Sequence, residues 1–185
     1  AQEERFVDEE VELFNELKSA ILQARTHQQQ FIALLGKPEN LQTEYTHFLK
    51  HKSDAQESWD ELKSFNKELI AEAPEDSEKI TKFLKTYEGI QQAYFEEVYK
   101  LIKQIDPPNL KSPEQIQAAQ KLLLDFTNSF LALKFDSISD ELSELAEAAE
   151  EEDEEADEAL AKAQQVRRLI VLGTNLISIV LAIIL

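Results

Sequence analysis

Cysteine and methionine are absent from this sequence, glycine occurs 3 times and proline 5 times. Without cysteine there can be no disulfide, no thiolate nucleophile and no cysteine-ligated metal. Periplasmic and cytosolic proteins alike can lack it, so the absence names no compartment. Methionine is missing even from position 1, and the chain is therefore read as a piece of a longer protein. The few glycines and prolines fall mostly between long uninterrupted segments, and few β-branched runs alternate with period two. That composition is all-helical. Positive charge is scarce: 19 Lys and Arg stand against 37 Asp and Glu, for a formal charge of −18 and a pI of about 4.5. A nucleic-acid phosphate backbone would repel such a chain, so no nucleic-acid partner is expected.

What is present is helical periodicity. From about Glu3 to Leu35, apolar residues recur at Val7, Val11, Phe14, Leu17, Ile21, Ala24, Phe31 and Leu35, with Gln28 filling one step. Spacings of three and four make a seam, as in a coiled coil or bundle. Gly36-Lys37-Pro38 should end this helix, glycine in a left-handed cap and proline as a stop. A second helix is expected from about Pro38 to Ala73 on Leu41, Tyr45, Phe48, Ala55, Trp59, Leu62 and Leu69, closed by Pro74. A third should begin near Ser77, with Asp76 or Ser77 as N-cap, and run through Ile80, Leu84, Tyr87, Tyr94, Val98, Leu101 and Ile105. After the loop Asp106–Lys111, Ser112, Pro113 and Gln115 form a capping box that opens a fourth helix. Its seam is Ile116, Ala119, Leu123, Phe126, Phe130 and Leu133. After a phase slip near Phe135 it resumes at Ile138, Leu142, Leu145 and Ala149. No proline or glycine falls between Pro113 and Gly173, so this helix is expected to run unbroken.

Short turns between four such helices predict an antiparallel up-down-up-down four-helix bundle. The fourth helix continues into the uncharged stretch Leu169–Leu185. A bilayer core needs about 20 apolar residues, within a range of about 17–25. The tail meets the lower bound, and hydropathy reads it as a transmembrane anchor through Leu169, Ile170, Val171, Leu176, Ile179, Val180, Leu181 and Leu185. The expected organisation is a sensor-like bundle over 1–145, an acidic helical stalk over 146–168, and a membrane helix over 169–185. Pairing the third helix along the fourth puts the Pro74 turn level with about Leu142. The fourth helix then runs alone for about 37 Å before Leu169. That unpartnered length points to an N-terminal extension carrying a first membrane span.

Few residues could carry chemistry. Asp140–Glu158 is almost all Glu, Asp and Ala; it suits hard cations, but it has no calcium-loop spacing and reads as a solvated face. His47 and His51 lie at i,i+4, a spacing able to chelate zinc. His27 lies about as far before the Gly36-Lys37 turn as His47 lies after it, so the hairpin could gather all three. No His-Glu-x-x-His pattern accompanies them, and no metal site is assigned. Exposed or half-buried structural histidines, or a titrating pH sensor, are the alternatives. Arg25 could hold a ligand carboxylate through a bidentate fork, or pair with a Glu on a neighbouring helix. Arg25, His27, His47 and His51 are the ligand-binding candidates. Trp59 fits the core. There is no phosphate loop, nucleophile elbow or isolated carboxylate pair, so no catalytic residue and no cofactor are expected.

The stretch Ala24-Arg25-Thr26-His27-Gln28-Gln29-Gln30-Phe31-Ile32-Ala33-Leu34-Leu35-Gly36, followed by Tyr45, resembles the third class of CHASE extracellular sensory domains. The matching positions are Ala24, Thr26, Phe31, Leu34 or Leu35, Gly36 and Tyr45. Arg25 stands where the family has an acid, His27 and Gln30 where it has glycines, and Gln29 where it has arginine; one residue is inserted before Gly36. The layout is also similar to the four-helix sensor domains of bacterial chemoreceptors and of cyanobacterial hybrid sensor kinases. The resemblance implies a periplasmic input domain of a sensor histidine kinase in the bacterial inner membrane. It implies a homodimer along the first and fourth helices, and output domains outside this chain.

The expected function is thus the non-catalytic sensor region of a transmembrane receptor, passing a stimulus through its fourth helix. The rival is a tail-anchored cytosolic adaptor or tether. Arg167-Arg168 beside the apolar stretch would then face the cytosol, as the positive-inside rule prefers.

Overall fold

The structure, a computed structural model, describes residues 2–184, with the side chains of all of these except 2–5, 181, 183 and 184. It is all-helical, with no strand among the described residues. The helices are α1 (Gln2–Leu34), α2 (Pro38–Glu72), α3 (Glu78–Thr86), α4 (Ile90–Ile105), α5 (Pro113–Thr127) and α6 (Phe130–Ile184), with a 3-10 turn at Pro107–Asn109.

Most of the seam residues expected from the sequence lie on buried faces, but Phe130 and Leu133, expected in the fourth seam, are exposed, because the helix is broken just before them. In α1, Phe14, Leu17, Ile21, Ala24, Phe31 and the following Leu35 are buried. In α2 the buried Leu41, Phe48, Ala55, Leu62 and Leu69 form a strict heptad, the repeat that keeps one stripe of a helix against its neighbour. α1 packs chiefly on α2 and α6, while α4 and α5 complete the core. The start of α1 lies beside the end of α2, Phe6 ring against Phe65. At the other end Gly36 lies beside Ile116 of α5, where a Cβ would just reach van der Waals contact with it. An aromatic cluster fills the middle. The Tyr94 ring stacks on Phe135 with centroids 3.8 Å apart, Phe126, Phe48 and Phe95 pack around that pair, and Phe31 meets Phe48 edge-on.

The ends of the elements follow local chemistry. Ser112 accepts from the Gln115 backbone and the Gln115 side chain accepts from the Ser112 backbone, the expected capping box. Ser77 precedes α3, but its hydroxyl donates to the Pro74 carbonyl and caps nothing. Gly36 does not adopt the left-handed conformation; Gly89 does, at φ 77°. The α1–α2 turn closes through Lys37 N–H donating to the Leu34 carbonyl at 2.8 Å.

Two expected continuous helices are broken. The third divides at Tyr87–Gly89 into α3 and α4, because Gly89 takes the left-handed region that an L side chain resists. The fourth divides at Asn128-Ser129 into α5 and α6, without help from proline or glycine. Ser129 makes the break: its hydroxyl accepts from Ala132 N–H and its carbonyl from Leu133 N–H, so α6 restarts on a serine cap. The restart comes earlier than the phase slip expected near Phe135, which is why Phe130 and Leu133 fall outside the buried seam. With both segments broken, residue-for-residue pairing misplaces the α2–α3 turn. Lys79 pairs with Glu152 at 2.5 Å, so the turn lies about three helical turns further along α6 than Leu142.

Burial on α6 ends at Ala149, and the described side chains from Glu154 onward are exposed. Leu169, Ile170, Val171, Leu176, Ile179 and Val180 are all among the exposed apolar residues. Among the described residues no helix is long and apolar enough to cross a membrane. Leu185 lies outside the described residues, as does the side chain of Leu181.

Candidate functional site

Three places gather polar side chains. The first is inside the core. Arg25 and Gln28 sit one turn apart on the seam of α1 and are 5% and 0% exposed. A buried guanidinium needs a counter-charge and acceptors for its donors. Arg25 has both: Nε and Nη2 donate to the two carboxylate oxygens of Asp136 at 2.8 and 3.2 Å, a bidentate fork. Nη2 also donates to the Thr127 carbonyl, and Nη1 to Gln28 Oε1. Gln28 in turn donates to Thr127 Oγ1 at 3.1 Å and accepts from the Tyr94 hydroxyl at 3.2 Å. Burial, the largest cause, pushes the Tyr94 hydroxyl well above the usual phenol range, so it stays a donor. Of the two uses open to Arg25, the structure has the partner on a neighbouring helix, but it is an aspartate rather than the expected glutamate. A ligand carboxylate would have to displace Asp136.

Thr127 is the last residue of α5, where carbonyls lack helical partners. Arg25 therefore caps the C-terminus of α5 while gripping the second turn of α6, and it fastens the two sides of the Asn128-Ser129 break.

The second place is the α1–α2 face, and here the hairpin does gather the histidines. The His27 ring stacks on His51 with centroids 5.0 Å apart and 13° between planes. It meets His47 edge-on at 5.5 Å. His27 Nδ1 hydrogen-bonds the Glu44 carboxylate, and both side chains are half-buried. His51 Nδ1 lies 3.5 Å from Asp54. Burial first, and the neighbouring His27 second, hold His51 below the ordinary imidazole range, against the opposing pull of Asp54. His51 is therefore neutral at pH 7. Glu44, His47 and His51 follow i, i+3, i+7 spacing, one stripe of α2. Glu44 was not singled out from the sequence; its spacing three residues before His47 was the available signal.

The third place is a groove of about 750 Å³ where the start of α1, the α2–α3 turn and α6 meet, lined by Phe6, Glu10, Lys79, Leu145, Ala149 and Glu152 among others. Desolvation, with Glu152 and Asp76 adding repulsion and Lys79 opposing, pushes the Glu10 carboxyl up to about 7.

No known family, curated protein or solved structure matches this chain.

Proposed function

We propose that this chain is the sensor region of a transmembrane signalling receptor of the histidine-kinase type, related to the CHASE-like input domains. In this reading α1, α2, α3–α4 and α5–α6 run up-down-up-down as a four-helix bundle outside the bacterial inner membrane, and the end of α6 enters the bilayer. The bundle pairs with a second copy, and the exposed Phe130, Leu133 and Tyr99 offer apolar surface for that. One observation carries the proposal. α6 is a single helix of 55 residues, about 80 Å long at about 1.5 Å per residue, packed at its start and carrying exposed apolar side chains on every side from Leu169 to Val180. Apolar surface of that extent needs a cover, lipid or protein. A stimulus that shifts the bundle between two packings would reach the apolar end through this one rod.

Flotation of the full chain on phospholipid vesicles tests the membrane reading. The chain should rise with the vesicles, resist extraction by carbonate at high pH, and lose both properties when residues 169–185 are deleted. A chain that stays in the soluble fraction overturns it. In the whole receptor, a Gly-Gly insertion at Glu150 should abolish the response while the bundle keeps its melting temperature.

The cytosolic tether is the second reading, favoured by Arg167 and Arg168 beside the apolar end. Because the chain has no cysteine, Ala163→Cys gives a single reporter. Labelling of intact spheroplasts by an impermeant maleimide supports the receptor, and labelling only after lysis supports the tether.

A further inference from the structure

We propose that His27, Glu44 and His47 form a binding site for a divalent transition-metal ion of the zinc class, which ties α1 to α2. The ligand atoms of these three residues all lie within 4.8 Å of one another. Two ligands of one zinc ion, each about 2.0–2.2 Å from it, stand about 3.3 Å apart in a tetrahedron. Closing the remaining gap of about 1.5 Å needs side-chain rotation only, and the exposed His47 is free to make it.

The donor set decides the ion. Calcium takes six to eight oxygens and magnesium near-octahedral oxygens and waters; two imidazoles and one carboxylate suit neither. They match the two-histidine-one-glutamate set of open zinc sites, which keep a further position for water or another ligand. Copper and nickel would compete by intrinsic affinity.

The surroundings favour an ion as well. His27 and Glu44 have side chains 21% and 16% exposed, which weakens competition from water, while His47 leaves the mouth open. His51 stacks on His27 and holds its ring in place, as outer partners of metal ligands do. The Glu44 carboxylate supplies the negative charge a dication requires. It is hydrogen-bonded to His27 Nδ1, and a bound metal would replace that hydrogen bond with ligation by both groups. The site does not rest on the receptor reading: it stands on α1 and α2 alone, whatever covers the end of α6.

Isothermal titration of the chelator-stripped full chain in detergent with zinc chloride tests it. The expected result is saturable binding of one ion per chain at micromolar concentration or tighter. His27→Gln with His47→Gln should weaken it by at least tenfold, and His51→Gln by less. Cobalt(II) should give a visible spectrum of nitrogen ligation at low coordination number, lost in the double variant. That spectrum in the unmodified chain keeps the test decisive should the double variant fail to fold. Absence of saturable binding overturns the proposal. So does binding that survives the double substitution, which would put the ion on the acidic face of α6.

Discussion

Arg25 is the only buried charged side chain among the described residues, and its guanidinium joins three helices. Truncation would leave the Thr127 carbonyl, the Gln28 amide and the Asp136 carboxylate short of partners at once. Removing one member of a buried pair costs about 3–5 kcal/mol; Asp136 is 36% exposed on its side chain, which puts Arg25→Leu at about 3 kcal/mol. Urea denaturation should show the loss as a lower midpoint at unchanged slope. Arg25→Lys keeps the charge but not the fork, and should recover only part of it. Wild-type stability in Arg25→Leu would mean that the network does not hold the α5–α6 break. The sequence offered arginine on an apolar seam, which is anomalous enough to notice. It could not reveal which acid answers it, because Asp136 stands on a helix whose phase is reset at Ser129.

At the scale of elements, the heptad of α2 and the capping box of α5 could be read directly, since both are local patterns with a single structural solution. The gathering of the histidines was legible for a geometric reason: positions equidistant from a tight hairpin turn face one another. The break at Asn128-Ser129 was hidden, because a serine cap within an otherwise good helical sequence competes only weakly with continuation. Gly89 was visible but bridged by a seam that kept its spacing from Tyr87 to Tyr94. The end of the molecule where α1, the α2–α3 turn and α6 meet brings a pH dependence. Glu10 titrates near 7 when folded, against 4.5 ordinarily, so it contributes stability that is complete below pH 4.5 and lost as pH rises through 7. Glu10→Gln should therefore melt a few degrees above the wild type at pH 8, since 1 kcal/mol is worth about 2–4 °C at this size. The two should melt together at pH 4. A constant difference across that range would locate the effect elsewhere.

For the whole molecule the dominant fact is charge. At −18 the chain repels itself, and Glu and Asp crowd the last packed turns of α6. Screening shortens from about 10 Å at 0.1 M salt to about 3 Å at 1 M, so sodium chloride should raise the melting temperature by several degrees between these limits; a fall would show that favourable ion pairs outweigh repulsion. Shape adds something charge does not. The joint at Asn128-Ser129 is clasped by Arg25 from inside, and everything beyond it is one helix as far as Ile184. α6 is buried as far as Ala149, and the helix beyond it to Ile184 is about 52 Å long. A tilt of about 5° of the packed part carries that end sideways by about 5 Å. Whatever loosens or tightens that clasp is therefore magnified at the far tip, far from where it acts.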